Sequence, residues 1–164
     1  MTRSTTSRHH PSPEMVSSDS IRSRIMSAVR QKNTGPEVVV RKVLHGLGLR
    51  FKLHSKDLPG TPDIVLPKHR TAVFVHGCYW HRHAGCSRTT TPKTRIEFWQ
   101  EKFDSNVNRD LWTERALRDQ GWRVLIVWEC ETKDKGRLRD RLSRMFAAAR
   151  SEALPESCGW SDEC

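Results

Sequence analysis

Two short, almost wholly apolar runs, at residues 71–75 and 124–128, restrict the fold of this chain more than any other feature. Runs of this length read as strands covered on both faces, the signature of a sheet packed between layers. Between them Ile96, Trp99, Phe103, Val107 and Leu111 recur about every four residues, and Gly121 closes the segment, which predicts one or two helices. Upstream, Thr34-Gly35-Pro36-Glu37 has the spacing of a capping box. Val39, Val40, Val43, Leu44 and Leu47 form the stripe of the helix it opens, with Gly46 and Gly48 at its end. Ile21, Ile25, Met26 and Val29 predict an earlier helix over 20–30, and Leu138, Leu142, Met145 and Phe146 a last one. Residues 50–53 are a short strand, and the turn-rich Asp57-Leu58-Pro59-Gly60-Thr61-Pro62 runs into a further strand at Asp63-Ile64-Val65-Leu66. Helices, a hairpin-like strand set and a helical crossover to another strand make the class α/β, with a mixed central sheet flanked by helices.

A chain of 164 residues suits a single core with tails. We expect a flexible arm over 1–18, rich in Ser, Thr, Pro and Arg, a folded domain over 19–148 and a loose tail over 149–164. No apolar run approaches the roughly 20 residues that span a bilayer, and the polar first 13 residues lack the apolar segment of a secretory signal. The expectation is a cytoplasmic protein with no membrane partner. Lys and Arg exceed Asp and Glu to give a net charge of +10, which suits a polyanionic partner. Five cysteines, an odd number with no export signal, point to reduced thiols or a metal site rather than disulfides. Six tryptophans against one tyrosine is an unusual ratio; some should sit in the core, but large flat side chains are also surfaces on which bases stack.

Asp63 follows Pro62 at the start of an apolar strand, where a carboxylate sits at the rim of the sheet and can hold a hard cation such as magnesium. His76 ends the next apolar strand, so the two groups can converge on one point. Pro62-Asp63 matches the first half of the "PD…(D/E)xK" nuclease pattern; Phe74-Val75-His76 stands where the second half expects an acid, any residue and lysine. The plainer alternatives are that Asp63 caps a turn and that Glu37 is simply the capping-box acid. Three histidines and two cysteines then fall between His76 and Cys86. Cys78, His83 and Cys86 form a loop short enough to wrap a zinc ion, and Cys130, just past the last apolar run, completes a Cys3His set if the two strand ends meet. His83 leaves His81 free for chemistry; the reverse assignment puts the ligand closer to Cys78 and farther from Cys86.

Leu58-Pro59-Gly60-Thr61-Pro62-Asp63, the run from His76 to Cys86, Glu97-Phe98-Trp99, Asn106-Val107-Asn108-Arg109-Asp110 and the run from Gly121 to Cys130 jointly resemble the very-short-patch repair (Vsr) endonucleases, in the same order along the chain. The resemblance implies a restriction-endonuclease-like fold with a structural zinc site and magnesium-dependent nicking of double-stranded DNA. The cut lies 5′ of the thymine in a T:G mispair left by deamination of 5-methylcytosine. By position it implies Asp63 as the magnesium carboxylate, with Val75 lending its main-chain carbonyl. His76, His81 and Glu37 become active-site residues, with Asp110 orienting a histidine. Cys78, His83, Cys86 and Cys130 become the zinc ligands, and Tyr79, Trp80 and Trp99 the aromatic residues that wedge into the duplex. Valine at 75, tyrosine at 79 and the Ala84-Gly85 expansion depart from the usual pattern. A bacterial, nucleoid-associated monomer is expected, with mismatch-repair proteins as a further partner class.

Two other readings compete. A generic endonuclease of a restriction or defence system keeps the fold and changes the target. A zinc-stabilised DNA-binding module keeps the metal and the duplex but cleaves nothing. Without the resemblance, Trp99 reads as a core position of its helix, with Phe103 one turn on.

Overall fold

The computed structural model describes residues 32–151. The expected arm, the helix over 20–30, the chain after Ser151, and with it Cys158 and Cys164, lie outside the described residues. Helix α1, Gly35–Gly46, starts as its capping box predicts. Thr34 Oγ1 accepts from the Glu37 N–H at 3.4 Å, and the Glu37 carboxylate accepts from the Thr34 N–H at 3.2 Å. This reciprocal pair satisfies donors that the first turn cannot satisfy itself. Val40 and Leu44 are buried along its inner face, with Val39, Val43 and Leu47 packed beside them.

Four strands follow: β1 Lys52–Leu53, β2 Ile64–Leu66, β3 Thr71–His76 and β4 Arg123–Trp128. They lie in the order β1-β2-β3-β4, antiparallel for the first two pairs and parallel for the last, so the sheet is mixed as expected. The parallel pair needs a long crossover, and helix α2, Ile96–Asp119, supplies it. Helix α3, Lys135–Ser151, closes the described chain. Leu138, Leu142 and Phe146 of α3 join Val40, Leu44, Ile64, Leu66, Val73, Leu125 and Val127 in one core, so α1 and α3 cover the same face. No helix among the described residues is long and apolar enough to cross a membrane.

Two elements differ from the sequence reading. In β4, Leu125 and Val127 are buried while Val124, Ile126 and Trp128 are only half-buried. Strand residues alternate between faces, and the face away from α1 and α3 is incompletely covered, although α2 packs against this strand. In α2 a single helix of 24 residues buries Trp99, Phe103, Thr113 and Leu117, whereas Ile96 and Leu111 are exposed. A four-residue repeat overshoots the helical turn by about 40° each step, so by Leu111 the stripe has drifted about 120° from Trp99. Leu117 lies about five full turns from Trp99 and returns to the same direction.

The turn before β2 fixes where Asp63 begins. Gly60 takes φ +70°, and a Cβ there would lie 2.3 Å from Thr113 Cγ2 of α2. Gly60→Ala is therefore expected to destabilise the fold by about 2 kcal/mol or more, from left-handed backbone strain plus overpacking. A urea melt checks this; an unchanged midpoint would show that the turn gives way freely.

Candidate active site and metal centre

Asp63 stands one residue before β2, facing β3. Its Oδ2 accepts from the Val75 N–H at 2.8 Å, and its backbone carbonyl accepts from the His54 N–H at 3.3 Å. Burial holds the Asp63 carboxyl above the usual carboxylate range, the Val75 hydrogen bond draws it down, and the charge of Glu37 pushes it up again. A cation is the partner that relieves such a desolvated carboxylate. Glu37 and His54 bring ligand atoms within 4.8 Å of those of Asp63 and of each other. Glu37 is 3% exposed. Its Oε1 accepts from Thr34 N and Oγ1, and its Oε2 from Asn33 N at 3.0 Å and Arg41 Nη2 at 2.6 Å. The capping role and nearness to Asp63 thus coincide in one side chain.

The parallel register Val75↔Val127 and His76↔Trp128 brings the ends of β3 and β4 side by side. His76, buried at the end of β3, stacks on His81 with ring centroids 3.9 Å apart and planes 12° from parallel. His81 Nδ1 makes a short hydrogen bond to Asp110 Oδ2, reaching it from α2. Burial, with help from His81, holds the His76 imidazole down to about 4, against the pull of Asp110. His76 is therefore a neutral ring at pH 7, and it backs its neighbour without adding like charge.

Past β3 the chain turns through Gly77 and folds back over the strand ends. Cys78, His83, Cys86 and Cys130 bring their ligand atoms within 4.8 Å of one another. His83 Nδ1 lies 3.7 Å from Cys78 Sγ and 3.4 Å from Cys130 Sγ, so the geometry joins His83, and not His81, to the cysteines. Thr89 Oγ1 reaches the carbonyls of Cys78 and His83 at 3.2 and 2.8 Å, which draws the loop into a ring. Cys130 sits in the 3-10 turn Glu129–Lys133 after β4. Arg88 Nη1 donates to Glu129 Oε1 at 2.8 Å and Arg141 Nη1 to Glu131 Oε1 at 2.5 Å, which tie this turn to the loop and to α3. Burial, then Cys78, push the Cys130 thiol up to about 12. A divalent ion removes that penalty, and three cysteines with one imidazole make a closed tetrahedral zinc set.

The aromatic residues cluster beside this loop. Tyr79 packs edge-on against Trp80 and Phe103, with centroids at 5.0 and 5.2 Å, and Trp80 lies 6.3 Å from Trp99. Asn106 Nδ2 holds the Trp80 carbonyl at 3.3 Å. Tyr79 and Trp80 are half-buried; Trp99 is only 5% exposed. Sequence reasoning missed Arg41 and His54. Arg41 carried a signal, since it falls four residues after Glu37 on one helix face. His54 carried none; only the hairpin brings it to the acids.

Fold and side chains together define an α/β protein with an aspartate and a histidine pair at neighbouring strand ends and a separate Cys3His donor set beside them. The family model of DNA mismatch endonuclease Vsr matches residues 15–88. The chain is 53% identical to the type II nicking enzyme V.XorIIP of Xanthomonas oryzae over 74% of its length and 89% of that protein. It is 43% identical to the DNA mismatch endonuclease Vsr of Escherichia coli over 73% of its length and 76% of that protein. The chain belongs to the Vsr family of DNA mismatch endonucleases.

Proposed function

We propose that this chain nicks double-stranded DNA on the 5′ side of the thymine in a T:G mispair, using magnesium, on a restriction-endonuclease-like fold braced by zinc. The observation that carries the reading is that Asp63 is bonded to the Val75 N–H, one residue before His76, whose ring stacks on the Asp110-held His81. The nicking-enzyme names of relatives such as that of Xanthomonas oryzae support cutting of one strand. Asp63, with the main chain of Val75, would hold magnesium, and Cys78, His83, Cys86 and Cys130 would hold zinc. Magnesium bound there supplies charge neutralisation at the phosphate and a more acidic water.

The remaining chemistry falls to the protein. His81 gives its Nδ1 to Asp110, which fixes the ring and leaves Nε2 as the atom that takes or gives a proton. His76 keeps water from the other face of that ring and, being neutral, does not oppose its protonation. Glu37, already saturated with hydrogen bonds, acts by its fixed negative charge beside Asp63 and not by moving a proton. The net charge of +10 draws the polyanion in.

Selection of the mispair rests in this reading on Tyr79, Trp80 and Trp99. Separating two base steps costs a few kcal/mol, and a mispair lowers that cost. Strand-specific nicking of labelled T:G and matched duplexes, with and without magnesium, tests the proposal. Wild type is expected to nick only the T:G strand and only with magnesium. Trp80→Ala is expected to shrink the ratio of mismatched to matched nicking about tenfold, which corresponds to the loss of one stacking contact of about 1–3 kcal/mol. Equal ratios in wild type and variant would remove Trp80 from the recognition step, and nicking of matched DNA at the same rate would favour a generic endonuclease.

A further inference from the structure

Arg41 is anchored at one edge of the acid group by more than a cap requires. Its Nη1 donates to Asn33 Oδ1 at 2.6 Å, its Nη2 to Glu37 Oε2 at 2.6 Å, and the same Nη2 lies 3.0 Å from His54 Nε2. A guanidinium only donates. His54 Nε2 is therefore the acceptor, and the ring carries its proton on Nδ1. The guanidinium thus bridges α1 to the residue that follows β1. His54 in turn reaches Asp63 through its main chain, by the 3.3 Å bond from its N–H to the Asp63 carbonyl.

Two features here work against stability. His54 occupies the left-handed region at φ +47°, a conformation that costs a non-glycine residue energy even though histidine tolerates it better than most. Arg41 Nε is, among the described residues, the one buried side-chain nitrogen or oxygen without a hydrogen-bond partner. An arginine serving only as a helix staple gains nothing by being drawn inward until one donor is stranded. Local violations of this kind gather where a site demands a geometry that the fold alone does not choose.

We propose that Arg41 and His54 are positioning residues of the nicking reaction: the guanidinium clamps Glu37 and the His54 ring together, and the His54 backbone sets where Asp63 stands. Neither residue touches the reacting phosphate; both act through the two acids. Glu37 is held by four donors, so the clamp fixes where its carboxylate stands beside Asp63. Asp63, with Oδ2 on Val75 and its carbonyl on His54, keeps Oδ1 outside these bonds as the oxygen to offer a cation. The inference rests on the proposed nickase reading and adds to it two residues from outside the motifs.

The test is single-turnover nicking of a T:G duplex across a magnesium titration, with duplex affinity and thermal midpoint measured on the same preparations. Arg41→Met is expected to slow the bound-state rate about 100-fold, the size of effect that an ångström-scale displacement produces, and to raise the magnesium concentration needed for half-maximal rate. Duplex affinity should stay within about threefold, because the displaced groups do not bind DNA directly. Arg41→Lys keeps the charge and loses the fork, so it should recover only part of the rate. His54→Gln, which keeps an acceptor near the Nε2 position, should recover more than His54→Ala. A purely structural role would lower the thermal midpoint and leave the rate of the folded protein and its magnesium dependence unchanged. Wild-type rates in both Arg41 variants, beside an inactive Asp63→Ala, would overturn the inference and leave the nickase reading intact. If Arg41→Met does not fold, Arg41→Lys alone decides by the same criterion. A wild type that fails to nick sinks both.

Discussion

Asp63→Asn is expected to abolish magnesium-dependent nicking, by on the order of 1,000-fold or more, while leaving the protein as stable as wild type or more so. The two halves of this result come from one physical fact. Burial raises the Asp63 carboxyl, which means that the folded protein resists its ionisation more than the unfolded chain does. A carboxyl raised in the fold contributes stability only at pH below its unfolded value and loses it as pH rises through the folded value. At pH 7 the ionised Asp63 therefore works against folding. Asparagine keeps an oxygen for the Val75 N–H, which Asp63 Oδ2 now engages at 2.8 Å, and removes the charge. It also removes the group that would attract a cation. Thermal melts in magnesium-free buffer, paired with single-turnover nicking, check both halves. An active Asp63→Asn protein would move the cation elsewhere; an inactive one with a much lower melting midpoint would make the residue structural. The site is thus placed where the fold carries a poorly solvated charge that a bound cation would offset, a trade-off common where stability and activity compete.

Much of the architecture was legible because it depends on short-range patterns. The apolar runs at 71–75 and 124–128 became the parallel pair β3 and β4, and Thr34 with Glu37 capped α1 as their spacing implied. The geometry of the site was legible only where residues share a segment or end a strand. Cys78, His83 and Cys86 follow one another past β3, and Cys130 follows β4, so strand pairing helps bring the four to one place. Asp110 meets His81 because α2 crosses back over the strand ends, and the sequence marked it only through family likeness. What stayed hidden depends on the hairpin register and on helix phase. His54 reaches the acids only because β1 pairs with β2 at Lys52↔Val65 and Leu53↔Ile64, a two-residue ladder with no sequence signature. The exposure of Leu111 follows from helix phase, which a four-residue repeat conceals, whereas Trp99 is buried beside Phe103 as its spacing alone suggested. Trp99 lies at 5% exposure between Tyr79 and Phe103, so for it to enter a duplex the cluster must open. Tyr79 and Trp80, half-buried on the loop, are better placed to insert first.

Removing the ion from the Cys3His group is expected to have the second large effect, this time on stability before activity. The loop from Gly77 to Thr89 holds no regular element and is closed on itself by the Thr89 hydroxyl and a few main-chain bonds. Beyond the bonds of His81 to Asp110, Arg88 to Glu129 and Asn106 to the Trp80 carbonyl, an ion on the four ligand atoms that converge within 4.8 Å would supply its cohesion. Without an ion those atoms are crowded thiols and a ring, with Cys130 pushed up to about 12, so the ligands must lose protons as the ion binds. Affinity for the ion should therefore fall as pH drops, and chelation should strip it faster in mild acid. Elemental analysis of the purified protein should find about one zinc per chain. Cys130→Ser is expected to lower that content and to destabilise the fold by roughly 3 kcal/mol or more, a fall in melting midpoint on the order of 10 °C. The same variant should lose nicking at temperatures where it remains folded, because the loop that carries the ligands also carries Tyr79, Trp80 and His81. His81 is the discriminating residue: His81→Ala should leave zinc content and melting midpoint close to wild type and still abolish nicking, since its ring bonds to Asp110 and not to the cysteines. Loss of zinc in His81→Ala, or full zinc in His83→Ala, would reverse the assignment of the two histidines.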